Sequence, residues 1–197
     1  MSDPETLQVY AEKAQYYSDL MSASAGKDPL QAKFIAALPK GSHVLDLGCG
    51  PGHFAHFMAN AGLRVTASDA VVEMVALIPE HPSITPIHAA FDDISGNDIY
   101  DGIWANFSLL HAPRADMPRH LAALKTAIKP GGLFHIALKT GDNTERDGLG
   151  RQYTYFTQSE LTKLLNDAGF SVDSCTTGRD VGLAGTTDEW IALHAYG

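Results

Sequence analysis

An acidic residue followed by three glycines at alternate positions is the strongest candidate for chemistry in this sequence. The segment reads Asp46-Leu47-Gly48-Cys49-Gly50-Pro51-Gly52. Glycine has no Cβ, so a glycine-rich turn bends sharply and lets a ligand approach the backbone. A helix after the turn would direct its first N–H groups toward a carboxylate or phosphate. The segment predicts a cofactor site in which Asp46 contacts an amino group or orients the turn.

The spacing of the glycines argues against two common nucleotide-binding motifs. A dinucleotide fingerprint that starts at Gly48 needs a glycine at position 53, which is His53 here. A looser frame from Gly50 to Ala55 leaves Gly48 inside the strand and Asp46 without a role. The phosphate-binding P-loop is absent, because no Gly-Lys-Ser/Thr follows. An ordinary strand–helix turn is the remaining alternative, and three alternating glycines disfavour it.

A second carboxylate, Asp69, ends the next predicted strand. At the end of the second strand of an α/β unit, a carboxylate accepts hydrogen bonds from the ribose hydroxyls of a nucleoside. The position serves several nucleoside cofactors equally, so it does not distinguish between them. A simple helix cap is the alternative role for Asp69.

Strands alternate with helices along most of the chain. Strands are predicted over 44–47, 63–67, 84–89, 100–105, 133–138, 170–175 and 190–196, and helices over 4–20, 29–38, 54–61, 71–77, 117–128 and 159–168. This order is typical of a parallel sheet with right-handed crossovers and helices on both faces.

The polar stretch 139–151 is too long for a simple connector and predicts a functional loop. We expect a single domain with four parts. These are an N-terminal helical cap (1–40), a cofactor-binding core (41–138), a substrate-side loop (139–156) and a C-terminal helix and hairpin (157–197).

Composition narrows the class of partner. The 197 residues carry a formal net charge of −9 and show no Lys/Arg cluster, which disfavours nucleic acid and favours a small-molecule substrate. The two cysteines suggest neither a disulfide framework nor a zinc site, and the nine histidines form no ligand set, so no metal is expected.

Residues 1–5 lack a signal-peptide pattern and no apolar run has membrane-spanning length, so we expect a cytoplasmic protein. The oligomeric state is left open.

Three segments together resemble one enzyme family. Residues 44–52 with Asp69 resemble the cofactor signature of class I S-adenosylmethionine-dependent methyltransferases. Residues 100–105, followed by Leu109-Leu110-His111, resemble that family's fourth motif, and 124–134 resemble the turn before its fifth strand. The resemblance runs from about Tyr10 to the C-terminus. It implies an α/β, Rossmann-like, doubly wound seven-stranded sheet of order 3-2-1-4-5-7-6, with an antiparallel last strand and N-terminal helices.

A narrower resemblance involves residues 108–114 and the loop residues Lys139, Gly141, Arg151 and Tyr153. These are similar to small bacterial methyltransferases often grouped with tellurite-resistance or quinone-methylating enzymes. The resemblance implies S-adenosyl-L-methionine as cofactor, S-adenosyl-L-homocysteine as product and a small-molecule acceptor.

The resemblance also implies roles for cofactor-binding residues. These are Asp46, Gly48, Cys49, Gly50, Gly52, Asp69, Ala70, Phe91, Asp92, Asn106 and Tyr17. Many family members bind adenine with an acid directly after the third strand, a position that is not acidic here. Asp92 performs this role from a displaced position, or Phe91 packs on the adenine. Tyr17 reaches the cofactor carboxylate or is simply buried.

His111 is the candidate catalytic residue, as a base or a substrate contact, because it follows the fourth strand at the ligand-binding edge. Ordering the loop is its alternative role. If the 139–156 loop folds over the site, Lys139, Arg151 and Tyr153 would hold an anionic or carbonyl-bearing substrate. A solvated surface loop is the alternative. For the whole protein, the alternatives are a non-catalytic S-adenosylmethionine-binding protein and, less favoured, a nicotinamide-dependent oxidoreductase.

Overall fold

A computed structural model describes residues 3–22, 26–182 and 184–197. Within these ranges the strands are β1 (His43–Leu47), β2 (Arg64–Asp69), β3 (Ile84–His88), β4 (Tyr100–Asn106), β5 (Ile128–Lys139), β6 (Thr144–Arg146), β7 (Gln152–Thr154), β8 (Ser171–Val181) and β9 (Thr187–Tyr196). The helices are α1 (Pro4–Glu12), α2 (Ala14–Ser22), α3 (Pro29–Ala36), α4 (His53–Asn60), α5 (Val72–Val75), α6 (Met117–Ala127) and α7 (Gln158–Asp167). Short 3-10 turns cover Phe91–Asp93, Leu109–His111 and Arg114–Asp116.

Seven strands form the main sheet, in the order β3-β2-β1-β4-β5-β9-β8. Strands β1 to β5 pair in parallel, β9 is antiparallel to β5, and β8 is antiparallel to β9. Counted within this sheet alone, β8 and β9 are its sixth and seventh strands. The predicted order 3-2-1-4-5-7-6 with an antiparallel last strand is therefore confirmed.

Helices cover both faces of the sheet, which explains why the central strands are nearly continuous apolar runs. One buried cluster contains Leu45, Leu121, Phe134 and Leu165, so it joins β1 and β5 to α6 and α7. The cluster on the opposite face packs Phe34 of α3 and Met58 of α4 against Trp104 and other strand residues. These two layers hold β1 and β4 rigidly side by side.

The polar stretch after β5 contains a two-stranded hairpin that the sequence analysis did not predict. Glu145 pairs with Tyr153, and Asp147 closes the turn by accepting backbone N–H bonds from Leu149 and Arg151 at 2.9 and 3.0 Å. Strand β6 is exposed and polar along its whole length, so it lacks the alternation that marks a strand. The stretch predicted as a functional loop therefore contains two paired strands.

The single N-terminal helix predicted over 4–20 is two helices. The break lies at Lys13, whose φ of −112° and ψ of 13° leave the helical region. Each helix contributes one tyrosine to a shared contact. The rings of Tyr10 in α1 and Tyr17 in α2 pack edge to face, with their centres 5.8 Å apart.

The C-terminal hairpin is longer than predicted. Strands β8 and β9 extend the pairing to Val181 and Thr187. Most of the added residues are exposed and polar, so no apolar pattern marked them in the sequence. Among the helices of the described ranges, none has the length and apolar character needed to cross a membrane.

The fold generates a prediction about Gly48, whose φ is +68° and whose added Cβ would lie 2.3 Å from the Ser108 Cβ. We expect Gly48→Ala to be more destabilising than Gly131→Ala. Gly131 has a similar φ of +74° but no atom within 4 Å of an added Cβ. The control should lower the free energy of unfolding by about 1–2 kcal/mol through the left-handed backbone. Gly48→Ala should add about 1–3 kcal/mol of steric overlap.

Urea unfolding followed by tryptophan fluorescence measures both variants. Equal losses of stability would show that the approach of the glycine turn to β4 does not constrain the fold.

Candidate active site

A cavity opens at the carboxyl ends of β1, β2 and β4, where the strand order reverses. This is the usual ligand-binding position in a doubly wound sheet. Nine of the residues predicted for the site line it: Tyr17, Gly48, Cys49, Gly50, Asp69, Ala70, Phe91, Asn106 and His111. Six do not line it: Asp46, Gly52, Asp92, Lys139, Arg151 and Tyr153. Among the described residues, no group of three His, Cys, Asp or Glu side chains is arranged to hold a metal ion.

The glycine turn is anchored to β2 through its backbone. The N–H groups of Gly48 and Cys49 both donate to the Ser68 carbonyl, at 2.8 and 3.0 Å. Gly48, Gly50 and Gly52 have φ values of +68°, +54° and +77°, in the left-handed region that favours glycine. The three alternating glycines thus have a conformational reason, and Gly52 begins α4 from outside the cavity.

Asp69 joins the turn to the second strand. Its Oδ2 accepts the Gly50 N–H at 2.8 Å, and its Oδ1 accepts the Val71 N–H at 2.9 Å. Burial raises the pKa of Asp69, and these backbone donors oppose the rise. The N-cap of α5 is Val71, without a side-chain cap bond, so Asp69 forms a turn before the helix rather than capping it. Asp69 also lies on the cavity wall, and each of its oxygens keeps a lone pair for a ligand hydroxyl.

Asp46 lies beneath the turn with 2% of its surface exposed. Its Oδ2 has no hydrogen-bond partner in the described part of the chain. Burial, reinforced by the negative charge of Asp69, raises the pKa of Asp46 to about 8. Among the described residues, no basic side chain is bonded to Asp46 or Asp69, and two such neighbouring carboxyls favour a positively charged ligand in the cavity. Contact of Asp46 itself with an amino group stays a prediction.

The structure separates the two candidates for adenine binding. Phe91 lines the cavity. Asp92 forms an ion pair with Arg119 at 2.6 Å, which lowers the pKa of Asp92. An adenine contact by Asp92 would require this pair to open, whereas Phe91 needs no rearrangement.

Asn106, at the end of β4, is oriented from behind by His135. The two side chains are 3.1 Å apart, from His135 Nε2 to Asn106 Oδ1. His135 is fully buried, its Nδ1 has no described partner, and burial keeps its pKa well below the usual range. Its single proton therefore lies on Nε2 and is donated to Asn106 Oδ1, since a buried N–H without an acceptor is costly. The Asn106 amide N–H groups remain available to the cavity.

His111 is held at both ring nitrogens. Nδ1 lies 2.7 Å from the Gln152 carbonyl, which only accepts, so Nδ1 carries the proton. Nε2 then accepts the Tyr10 hydroxyl proton at 2.9 Å. Burial lowers the pKa of His111 to about 4, so the imidazole is neutral near pH 7. His111 both orders β7 and presents a basic nitrogen toward Tyr10.

Tyr10 is a site residue that the sequence analysis missed. Its hydroxyl oxygen accepts an Arg151 N–H at 2.9 Å, and Arg151 is paired with Asp147 at 2.6 Å. Burial raises the pKa of Tyr10, and the charge of Arg151 opposes the rise. A chain of contacts thus runs from Asp147 through Arg151 and Tyr10 to His111. In the sequence, only the seven-residue spacing of Tyr10 and Tyr17 indicated that these two side chains lie on the same helix face.

The predicted substrate-side residues surround His111 but not the cavity. Lys139 pairs with Asp188 at 2.7 Å and lies 4.0 Å from the centre of the Tyr153 ring. Arg151 and Tyr153 are buried. A role for these residues in substrate binding stays a prediction, because it requires the ion pairs of Lys139 and Arg151 to open.

The β6–β7 hairpin is tied to the N-terminal helix α1, so the predicted loop is not simply solvated. Arg146 bonds Asp3 at 2.8 and 2.9 Å, and the Gln152 N–H donates to Thr6 Oγ1 at 2.8 Å. These contacts place α1 on the cavity wall. Tyr17 lies beside Gly50, where an added Cβ would be 3.5 Å from its ring, and burial raises the pKa of Tyr17.

Comparisons with known proteins agree with this geometry. A family model described as a methyltransferase domain matches residues 27–174. The S-adenosyl-L-methionine-dependent Diels-Alderase iccD of Talaromyces variabilis is 30% identical over 122 residues, covering 56% of this chain and 41% of that protein. The malonyl-[acyl-carrier protein] O-methyltransferase of Pectobacterium atrosepticum is 30% identical over 109 residues, covering 53% of this chain and 42% of that protein. The chain thus spans about two fifths of the length of these relatives.

A solved structure shares the whole fold. It is the Burkholderia thailandensis 1,6-didemethyltoxoflavin-N1-methyltransferase, with bound 1,6-didemethyltoxoflavin and S-adenosylhomocysteine. The TM-score is 0.80 at 24% sequence identity, covering 98% of this chain and 87% of that one. At this identity the likeness establishes the fold alone.

The burial of Asp46 predicts a pH dependence of stability. Its pKa is about 4 in an unfolded chain and about 8 in the folded protein, so the folded state binds the proton more tightly. The free energy of unfolding should therefore fall as the pH rises from about 4 to about 8, by at most about 1.4 kcal/mol per pH unit. Asp46→Asn should lack this component.

Urea unfolding of both proteins without ligand, between about pH 5 and pH 8, measures the difference. Glu80→Gln removes an exposed carboxyl and serves as the control. Parallel pH profiles of the wild type and Asp46→Asn would contradict the assignment.

Proposed function

The chain belongs to the methyltransferase domain family, and from this premise we propose that it transfers a methyl group from S-adenosylmethionine to a small-molecule acceptor. The product would be S-adenosylhomocysteine. One observation carries the proposal. Asp69, bonded to Gly50 of the glycine turn, presents its carboxylate in the same cavity as Phe91. This pairs a ribose-binding acid with an aromatic surface for a base.

The cavity fits this cofactor electrostatically. Two neighbouring carboxyls, the buried Asp46 and the half-buried Asp69, have raised pKa values. In the described part of the chain, no basic side chain is bonded to either. When bound, S-adenosylmethionine supplies an electrophilic methyl group on a positively charged sulfur. In the proposal Asp69 holds the ribose, Phe91 packs on the adenine beside Ala70, and Gly48 and Gly50 allow close backbone approach with Cys49 between them. Tyr17 lies at the turn, near the amino-acid end.

The remaining side chains would position the acceptor and remove its proton. Methyl transfer depends mainly on in-line placement, to which the Asn106 amide contributes by hydrogen bonding. Tyr10 accepts the acceptor's proton on its oxygen while it gives its own proton to His111 Nε2. A protonated His111 is disfavoured near pH 7, because its pKa is about 4. The proton therefore moves during methyl transfer rather than before it, and Arg151 holds the Tyr10 oxygen in place.

The class of partner and the location are part of the same proposal. A small-molecule acceptor, rather than nucleic acid or a membrane, is supported by the net charge of −9. A cytoplasmic location is supported by the two cysteines, Cys49 and Cys175, which are both free thiols.

The cofactor assignment predicts the effect of Asp69→Ala. Loss of the ribose-binding carboxylate should raise the Kd for S-adenosylhomocysteine about 10- to 100-fold, since hydrogen bonds to a charged group contribute about 1.5–3 kcal/mol. Isothermal titration calorimetry measures the change. The control is Asp93→Ala, which removes a carboxylate bonded to the Ala90 N–H at 2.8 Å outside the cavity. Wild-type protein that binds NADH but not S-adenosylmethionine would contradict the proposal.

The proton route predicts the effect of Tyr10→Phe. Turnover should fall about 100-fold or more, because a general-base contribution is lost. The Kd for S-adenosylhomocysteine should stay within about threefold, because Tyr10 is not assigned to cofactor binding. Turnover is measured with a labelled methyl donor and a metabolite extract. Tyr16→Phe, on the exposed side of α2, is the control. Unchanged turnover in Tyr10→Phe would leave His111 with only its loop-ordering role.

A further inference from the structure

Phe107 combines an unfavourable backbone conformation with an exposed aromatic ring. Its φ is +53°, and among the described non-glycine residues only Asp98 shares a positive φ. Aspartate tolerates this region because its short side chain bonds locally, whereas a bulky aromatic residue there is a true outlier. The Phe107 N–H donates to the Ala137 carbonyl at 2.9 Å, which holds the conformation in place. Such strain concentrates at functional sites.

The ring of Phe107 is not used to fill the core. It is 38% exposed, whereas Leu109 and Leu110, which follow it, are buried. It lines the cavity, and its ring meets Trp190 edge to face at 6.2 Å. The strained backbone thus keeps an exposed aromatic residue on the cavity wall.

The position of Phe107 assigns it to the acceptor rather than the cofactor. The sheet order is β3-β2-β1-β4, so the cavity runs from Asp69 at the end of β2, past the turn after β1, to Phe107 after β4. In the proposed function the nucleoside occupies the β2 end. The β4 end offers Asn106, Phe107 and the buried Ser108 hydroxyl, which has no described partner.

The charges around the cavity disfavour an anionic acceptor. Within the described ranges, no lysine or arginine lines the cavity. Lys139 and Arg151, the basic residues packed on Tyr153, are paired with Asp188 and Asp147. In the described part of the cavity wall, an acceptor with a carboxylate or phosphate would find no lysine or arginine beside Phe107.

We propose that Phe107 determines acceptor specificity by stacking on a flat, uncharged aromatic or heteroaromatic acceptor that carries a hydroxyl or ring N–H group. The inference rests on the proposed methyltransferase function and deepens it. Aromatic rings supply apolar contact and offset stacking without needing a charge on the ligand. The competing outcome is an anionic acceptor, which would be held by Lys139, Arg151 and Tyr153.

The test compares two matched probes, 2-naphthol and 6-hydroxy-2-naphthoate, which differ by one carboxylate. Each is titrated by calorimetry into the protein saturated with S-adenosylhomocysteine. We expect 2-naphthol to bind at least about tenfold more tightly, in line with an unpaired charge in the cavity. Equal or tighter binding of the naphthoate, or no binding of either probe, would overturn the inference.

Variants test the ring itself. Phe107→Leu keeps an apolar side chain and the strained backbone but removes the aromatic face, so the Kd for 2-naphthol should rise about fivefold or more. Phe107→Tyr keeps the face and should retain binding. Phe57→Leu removes an equally exposed ring on α4 that does not line the cavity, and it is the control. A similar Kd for 2-naphthol in Phe107→Leu and in wild type would also overturn the inference.

The two proposals fail in different ways. S-adenosylhomocysteine is titrated first into every variant, and its Kd should be the same in Phe107→Leu and in wild type. Absence of its binding in the wild type would refute the proposed function. Normal binding combined with a preference for the naphthoate would refute only the role of Phe107.

Discussion

The close approach of the glycine turn to the end of β4 is the constraint on which the site depends. A side chain at Gly48 would meet Ser108 at 2.3 Å, so the two strand ends can lie together only because position 48 has no Cβ. The same turn is fastened to β2 by bonds to the Ser68 carbonyl and the Asp69 carboxylate. Three strand ends are thereby brought to one edge, and the cavity is the space that the helices α1 and α2 enclose above it.

The acidic and basic side chains of the site have different surroundings. The acids Asp46 and Asp69 lie under or beside the cavity, and burial raises the pKa of each. In the described part of the chain, no basic side chain is bonded to either. The basic residues nearest His111 are paired elsewhere, Arg151 with Asp147 and Lys139 with Asp188. The site is therefore suited to a positively charged cofactor and an uncharged acceptor. Arg151 donates a hydrogen bond to the hydroxyl of Tyr10, which lines the cavity.

Prediction from sequence succeeded for the parallel core of the sheet, whose signals lie within short segments. The alternation of strands and helices indicated the parallel core, and the glycine turn with Asp69 indicated a nucleoside site, because both depend on local backbone geometry. The strand order came from the family resemblance. The hairpin β6–β7 was missed, since β6 is polar on both faces and is held by contacts with α1 that lie about 140 positions away. Tyr10 was missed for the same reason, as its partners follow it by 101 and 141 residues.

The sequence by itself determined the turn, the central strands and the class of ligand, because glycine conformations and apolar periodicity act over a few residues. Only the tertiary structure decided which of the candidate side chains line the cavity and which are paired with other residues. Phe91 lines the cavity while Asp92 is paired with Arg119, and Arg151 is buried and paired with Asp147. The physical reason is that a charge's role depends on its partner and its burial. The glycine turn supports the proposed cofactor, and the packing around Tyr10 and Phe107 shapes the proposal for the acceptor.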